Sequence, residues 1–227
     1  MKVLVVAAHP DDEVLGCGGL VARHADAGDV VHVFIVAEGA TSRDLQRDPG
    51  KRAGELVALR AAAGRAAEIL GAQAPRFGGL PDNRLDGLPL LDVIKIIEAV
   101  GAEIRPEIVY THHAGDLNID HGVVARAVAT AFRPMPGAGV RAIYAFETIS
   151  STEWGMPGDP AFRPNRFVDV SAAMVRKVKA LEAYESEMRP FPHARSIAAV
   201  EALARFRGAS VGLAAAEALV VIRDVVR

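Results

Sequence analysis

The chain has 227 residues, 51% of them hydrophobic, with 26 basic against 28 acidic side chains and a net charge of −2. That length fits one large domain over 1–227 with a sizeable core, and the even charge, with no Lys/Arg stripe interleaved with aromatics, excludes a nucleic-acid footprint. No apolar stretch approaches the ~18 residues that cross a bilayer, no leader pattern precedes the first apolar run, and a lone cysteine, Cys17, permits no internal disulfide, so the expectation is a cytoplasmic protein without membrane insertion.

The apolar run Val3-Leu4-Val5-Val6-Ala7 reads as a buried strand, and Ala8-His9-Pro10-Asp11-Asp12-Glu13 follows it directly, ahead of Gly16-Cys17-Gly18-Gly19. A helix is expected over Leu20 to Ala27 and a second strand over Val30 to Val36, which makes a βαβ opening. Glu38 to Lys51 is too polar for an element and too long for a tight turn, so it is a surface loop. Arg52 to Leu70 carries apolar residues at helical spacing and stops at Gly71. A weaker strand near Pro75 to Gly79 leads into the turn-forming segment Leu80 to Gly87, and a helix follows over Leu90 to Val100. Glu107 to Thr111 is a short strand, His112 to Asn118 a loop, and Asp120 is the expected N-cap of a helix over Gly122 to Phe132. Beyond it, strands are expected near Val140 to Phe146 and Arg166 to Val170, flanking a Pro/Gly-rich stretch from Met156 to Pro164. Helices are expected near Ala172 to Met188, Arg195 to Arg207 and Gly212 to Leu219. Alternation of this kind predicts an α/β fold with a mostly parallel central sheet in a Rossmann-like three-layer sandwich.

In such a sheet ligands are handled at the carboxyl edge of the strands, where the sequence places His9, Asp11 and Asp12 after one strand and a second His/Asp cluster after another. Imidazole and carboxylate without sulfur suit zinc, and ferrous iron equally. His9, Asp12 and a histidine of the second cluster supply a ligand set. Neighbouring residues in a sharp turn do not readily face one ion, so one of Asp11 and Asp12 is expected to coordinate and the other to face water as a general base.

These motifs, with Asp120-His121, resemble the PIG-L/LmbE family of zinc-dependent N-acetylglucosamine deacetylases, and the similarity spans nearly the whole chain. The resemblance implies His9, Asp12 and His121 as metal ligands, Asp11 as the base acting on the metal's water, and Asp120 as a residue that orients a neighbour. Many members carry a histidine three residues before the last ligand, where this chain has Asn118. An amide donates a hydrogen bond to an oxyanion but gives up no proton at neutral pH, which leaves His112, His113, His193 or Asp11 acting twice as candidates for the acid. The substrate implied is a small amino-sugar conjugate. Trp154 offers a flat face to a sugar ring, and Arg43 or Arg84 offers a guanidinium to a phosphate or carboxylate. Members commonly assemble, so a homo-oligomer is also implied.

Two other readings stand beside this one. The glycine run before a helix is also the mark of a phosphate-cradling turn in a nucleotide-binding module, although its spacing is not GxGxxG. A zinc amidohydrolase acting on a non-sugar N-acyl group would use the same residues. Cys17 is read as a small packing residue, because nearby carboxylates would raise its pKa.

Overall fold

A continuous apolar strand has to be covered on both faces, and β1 (Lys2–Ala7) meets that requirement at the middle of a sheet. The computed structural model describes residues 1–226. β1 lies between two parallel partners, β2 (Val30–Ala37) and β4 (Ile108–His112), with Val3 opposite both Val31 and Ile108. β3 (Arg76–Leu80) extends the sheet beyond β2, and β5 (Ala142–Phe146) extends it beyond β4, both in parallel. With β6 (Arg166–Asp169) and β7 (Ala216–Asp224), the full order is β3-β2-β1-β4-β5-β7-β6.

Alternate residues of the strands build two cores. Val3, Val5, Val33 and Ile35 pack with Val14, Leu20 and Val21 of α1 (Asp12–Asp26), Leu59 and Leu70 of α2 (Ala53–Leu70), and Leu181 of α5 (Met174–Glu182). Leu4, Val6, Phe34 and Val36 face the other way, onto Val93 and Ile97 of α3 (Leu90–Ile104) and Val124 and Val128 of α4 (Ile119–Ala131). The sheet is thus sandwiched between helices, and the strand order turns back between β1 and β4, which opens a crevice at their carboxyl ends.

The expected elements are present, with four differences. The segment read as a helix over Gly212 to Leu219 is instead the start of strand β7 (Ala216–Asp224), antiparallel to β5 and to β6 (Arg166–Asp169). Its alanines favour a helix, but the Val220-Val221-Ile222 run and the open edge of β5 decide in favour of pairing. The helix expected to Met188 ends at Glu182, and α6 covers Ile197–Ala209 with the Ser196 hydroxyl capping Ala199 N–H at 3.1 Å. Asn118, rather than Asp120, caps α4, its side-chain oxygen 2.9 Å from Asp120 N, and this leaves the Asp120 carboxylate free for other partners. Finally, α1 begins at Asp12, so the glycine run lies inside a helix and not ahead of one.

The last difference removes the basis of the phosphate-cradle reading. α1 is kinked at Cys17 (φ −148°), which deprives the following N–H groups of helical acceptors. Gly19 N and Leu20 N donate instead to the buried carboxylate of Glu217 on β7, at 2.8 and 2.7 Å. Lys177 of α5 neutralises that carboxylate at 2.6 Å and donates to Leu15 O at 2.9 Å. Glycine serves close packing here: a Cβ on Gly16 would stand 2.2 Å from the Phe146 ring. Among the described residues no helix is long and apolar enough to cross a membrane.

Glu217→Ala strands the Lys177 ammonium in the interior. The expected loss is about 3–5 kcal/mol, read from urea unfolding, whereas a change within ~0.5 kcal/mol, as at an ordinary surface site, would show that the pair is not structural.

Candidate metal centre and active site

The turn from β1 into α1 spends little chain, and its backbone decides where two carboxylates go. Asp11 adopts φ 112°, a conformation that side-chain-bearing residues rarely take. Its N–H donates to Glu13 Oε2 at 3.1 Å, and Tyr184 O–H donates to the other Glu13 oxygen. Asp11 and Asp12 thereby diverge. Asp12 turns back to accept His9 N–H at 2.8 Å, while Asp11 Oδ2 stands 3.2 Å from Arg195 Nη1.

Three donor atoms converge on one point. Asp12 Oδ2 lies 3.3 Å from His9 Nδ1 and 3.2 Å from His121 Nε2, and all three groups are mutually within 4.8 Å. The remaining nitrogen of each imidazole faces a carboxylate. His9 Nε2 is 3.0 Å from Asp120 Oδ2, which also accepts from Asn83 N, while Leu85 N donates to Asp120 Oδ1; His121 Nδ1 is 3.1 Å from Asp116 Oδ1. Asp116 is held in turn by the hydroxyls of Ser151 and Thr152 and by Asn118 N–H. This donor set fits a tetrahedral N/O metal site, with a carboxylate beside the far nitrogen of each imidazole. A second convergence of His9, Asp82 and Asp120 spends its carboxylates on backbone and side-chain donors and has only one imidazole.

The electrostatics agree with a cation at that point. Burial works against charge on every member, yet the imidazoles of His121 and His112 outweigh it and hold Asp12 well below the usual carboxylate range. His121 is pushed up to about 9, because the Asp12 and Asp116 carboxylates overcome burial. In Asp11 burial and the Asp12 charge act together and raise the carboxyl well above its ordinary value. Burial and the neighbouring His121 drive His112 down to about 3.

His112, at the end of β4, stacks on His121 with ring centres 3.9 Å apart, and its Nε2 accepts Ala8 N–H at 2.8 Å. It braces the His121 ring and has no lone pair to spare. His113 turns the opposite way, its Nε2 2.6 Å from Pro160 O and its ring edge-on to Phe162.

The cavity over the donor atoms measures about 200 Å³ and lies at the carboxyl ends of the strands. Asp11, Arg43, Asn118, Asp82, Glu187 and Arg195 are part of its wall. His113, His193, Arg84 and Trp154 are not. His193 is exposed and accepts Arg195 N–H, Arg84 is exposed and reaches Leu45 O at 3.4 Å, and Trp154 is 51% exposed. Sequence reasoning passed over Asp116, Glu187 and Arg195. Asp116 sits inside the second His/Asp cluster, where spacing was a usable signal; Glu187 and Arg195 lie in a charged segment that reads as solvated surface.

A family model described as GlcNAc-PI de-N-acetylase, PIG-L, matches residues 4–132. The chain belongs to the PIG-L family. This PIG-L member is 31% identical to a 4-oxalmesaconate hydratase of Pseudomonas putida over 80% of its own length and 72% of the relative's. It is 30% identical to a diacetylchitobiose deacetylase of Thermococcus kodakarensis, over 82% and 70% of the two chains. The solved structure of an N,N'-diacetylchitobiose deacetylase from Pyrococcus horikoshii has the same fold, with a TM-score of 0.77 at 20% identity over 98% of this chain and 84% of that one.

Asp116→Asn, which keeps the shape but removes the charge behind His121, is expected to weaken zinc binding by about 10–100-fold in a competitive chelator titration. His113→Phe, outside the cavity, should leave the same titration unmoved.

Proposed function

We propose that this PIG-L member is a metal-dependent N-deacetylase that converts the acetamide of an N-acetylglucosamine-type sugar or sugar conjugate into a free amine and acetate. The observation that carries this reading is the divergence of Asp11 from Asp12, which sets one carboxylate among imidazoles and the adjacent one on the cavity wall. His9 Nδ1, Asp12 Oδ2 and His121 Nε2 would hold a zinc or ferrous ion. Bound there, such an ion lowers the pKa of water and polarises a carbonyl.

Asp11 is the general base that takes the proton of the attacking water. Arg195 and the Glu13-bound backbone N–H fix its direction. Asn118 donates to Asn83 Oδ1 at 2.9 Å through Nδ2 and accepts at Oδ1, so it has one further N–H to offer a developing oxyanion. The amine must still be protonated as it leaves. His113 and His193 stand outside the cavity, and the His112 nitrogens are committed to Ala8 and Thr148. Asp11 therefore returns to the amine the proton that it accepted, and serves as base and acid in turn.

A second reading comes from the hydratase relative, since a base that delivers water to an amide carbonyl also delivers it to an activated double bond. It predicts loss of ultraviolet absorbance from an unsaturated polycarboxylate and no acetate release.

Asp11→Asn is expected to lower acetate release from N,N'-diacetylchitobiose by about 10²–10⁴-fold with metal content, by elemental mass spectrometry, unchanged. Asp12→Ala should lose the metal itself. Turnover retained in Asp11→Asn would remove that residue from the chemistry.

A further inference from the structure

Two guanidinium groups line the cavity, those of Arg43 and Arg195, and no lysine does among the described residues. An anionic substrate would have to be read by them. Both are already engaged, and the shared partner is Glu187, which lies on the segment after α5 and is only 6% exposed. Glu187 Oε1 accepts from Arg43 Nη2 at 2.7 Å, and Oε2 stands 3.5 Å from Arg195 Nη1. The second partner of Arg43 is Glu55, at 2.8 Å, and that of Arg195 is Asp11, at 3.2 Å. Each cation thus faces two carboxylates. Glu187 is anchored by its own N–H to Tyr184 O at 2.8 Å and by the Ser186 hydroxyl at 3.2 Å.

We infer that Glu187 sets the charge of the substrate: by neutralising Arg43 and Arg195 it makes the cavity a site for uncharged amino-sugar conjugates and turns away those bearing a phosphate or carboxylate on or beside the ring. This inference rests on the deacetylase reading. A ligand anion that reached for either guanidinium would meet the Glu187 carboxylate at the same nitrogens, and displacing that side chain would leave a charge without a partner in a buried place. The rest of the wall suits hydroxyl groups. Ser42, Asn83, Asn118, Thr148, Ser150 and Ser151 offer neutral donors and acceptors, and Asp82 is occupied by the Ser42 hydroxyl and the Asn83 amide, at 2.6 and 2.9 Å. The polycarboxylate of the hydratase reading finds no unpaired cation here.

The test compares kcat/KM for acetate release by the metal-loaded protein from N,N'-diacetylchitobiose with that from N-acetylglucosamine 6-phosphate and N-acetylmuramic acid. The wild-type chain is expected to favour the neutral substrate by about tenfold or more, and Glu187→Gln to move the anionic-to-neutral ratio by about tenfold or more toward the anions. Glu187→Ser serves if the glutamine variant does not fold, and the wild-type comparison decides alone if neither does. Equal or faster hydrolysis of the anionic substrates by the wild type would overturn the inference and leave the deacetylase standing. So would a neutral preference that Glu187→Gln does not shift. No acetate from any of the three, together with hydration of an unsaturated polycarboxylate, would overturn both readings.

Discussion

A turn of a few residues has to carry the chain from the end of β1 into α1 and, within that space, send two adjacent carboxylates to different places. L-residues resist the backbone that this requires, and Asp11 at φ 112° bears the strain. Much of the surrounding structure serves to hold it. Glu13 folds back onto the Asp11 N–H and is itself fastened by Tyr184, in a position where burial raises its carboxyl to about 7. Gly16 of α1 packs against Phe146 of β5 so closely that it has no room for a side chain, and the helix breaks at Cys17 before continuing. Glu217 and Lys177 then satisfy the backbone that the break exposes. The glycines, the kink and the buried ion pair together seat the helix that begins at Asp12.

Charge is handled in layers around that point. Asp12 meets the imidazoles directly, Asp116 and Asp120 stand behind His121 and His9, and neutral hydroxyls and backbone N–H groups stand behind those. Such layering confines the cost of burying acids to a region where each has a donor, and burial with His121 alongside holds His112 down to about 3 where it packs against that ring. On the open side the sequence of charges alternates from Asp11 to Arg195, Glu187, Arg43 and Glu55.

The parallel half of the fold was legible because its central strands β1 and β2 are nearly continuous apolar runs and its helices end at plain stop signals such as Gly71. The tail was not. Its alanines prefer a helix locally, and the Val220-Val221-Ile222 run wins because the edge of β5, a long-range fact, is there to pair with. Residue type and strand position marked His9, Asp11 and Asp12 as a group with a histidine of the second cluster, and the resemblance to the PIG-L/LmbE family implied that this histidine is His121. The same logic overreached for His113, His193, Trp154 and Arg84, which share loops with cavity residues but point elsewhere. A loop residue's direction depends on its backbone torsions, and those are set by contacts such as His113 to Pro160 that join distant parts of the chain. Glu187 and Arg195 were invisible for the converse reason: a charge in a polar segment looks solvated until the fold closes over it.

The cavity is a composite of two stretches of chain. The wall that carries His9, Asp11, Asp12 and His121 falls within residues 4–132, the part that the family model matches, while Glu187 and Arg195 belong to a connection between α5 and α6 that lies beyond it. That connection bears no strand of the parallel sheet and none of the three convergent donors, yet through Tyr184 and Arg195 it also holds Glu13 and Asp11. The segment that pairs the cavity's guanidinium groups thus also aims the Asp11 carboxylate, so a loop exchange that altered the one would be felt by the other.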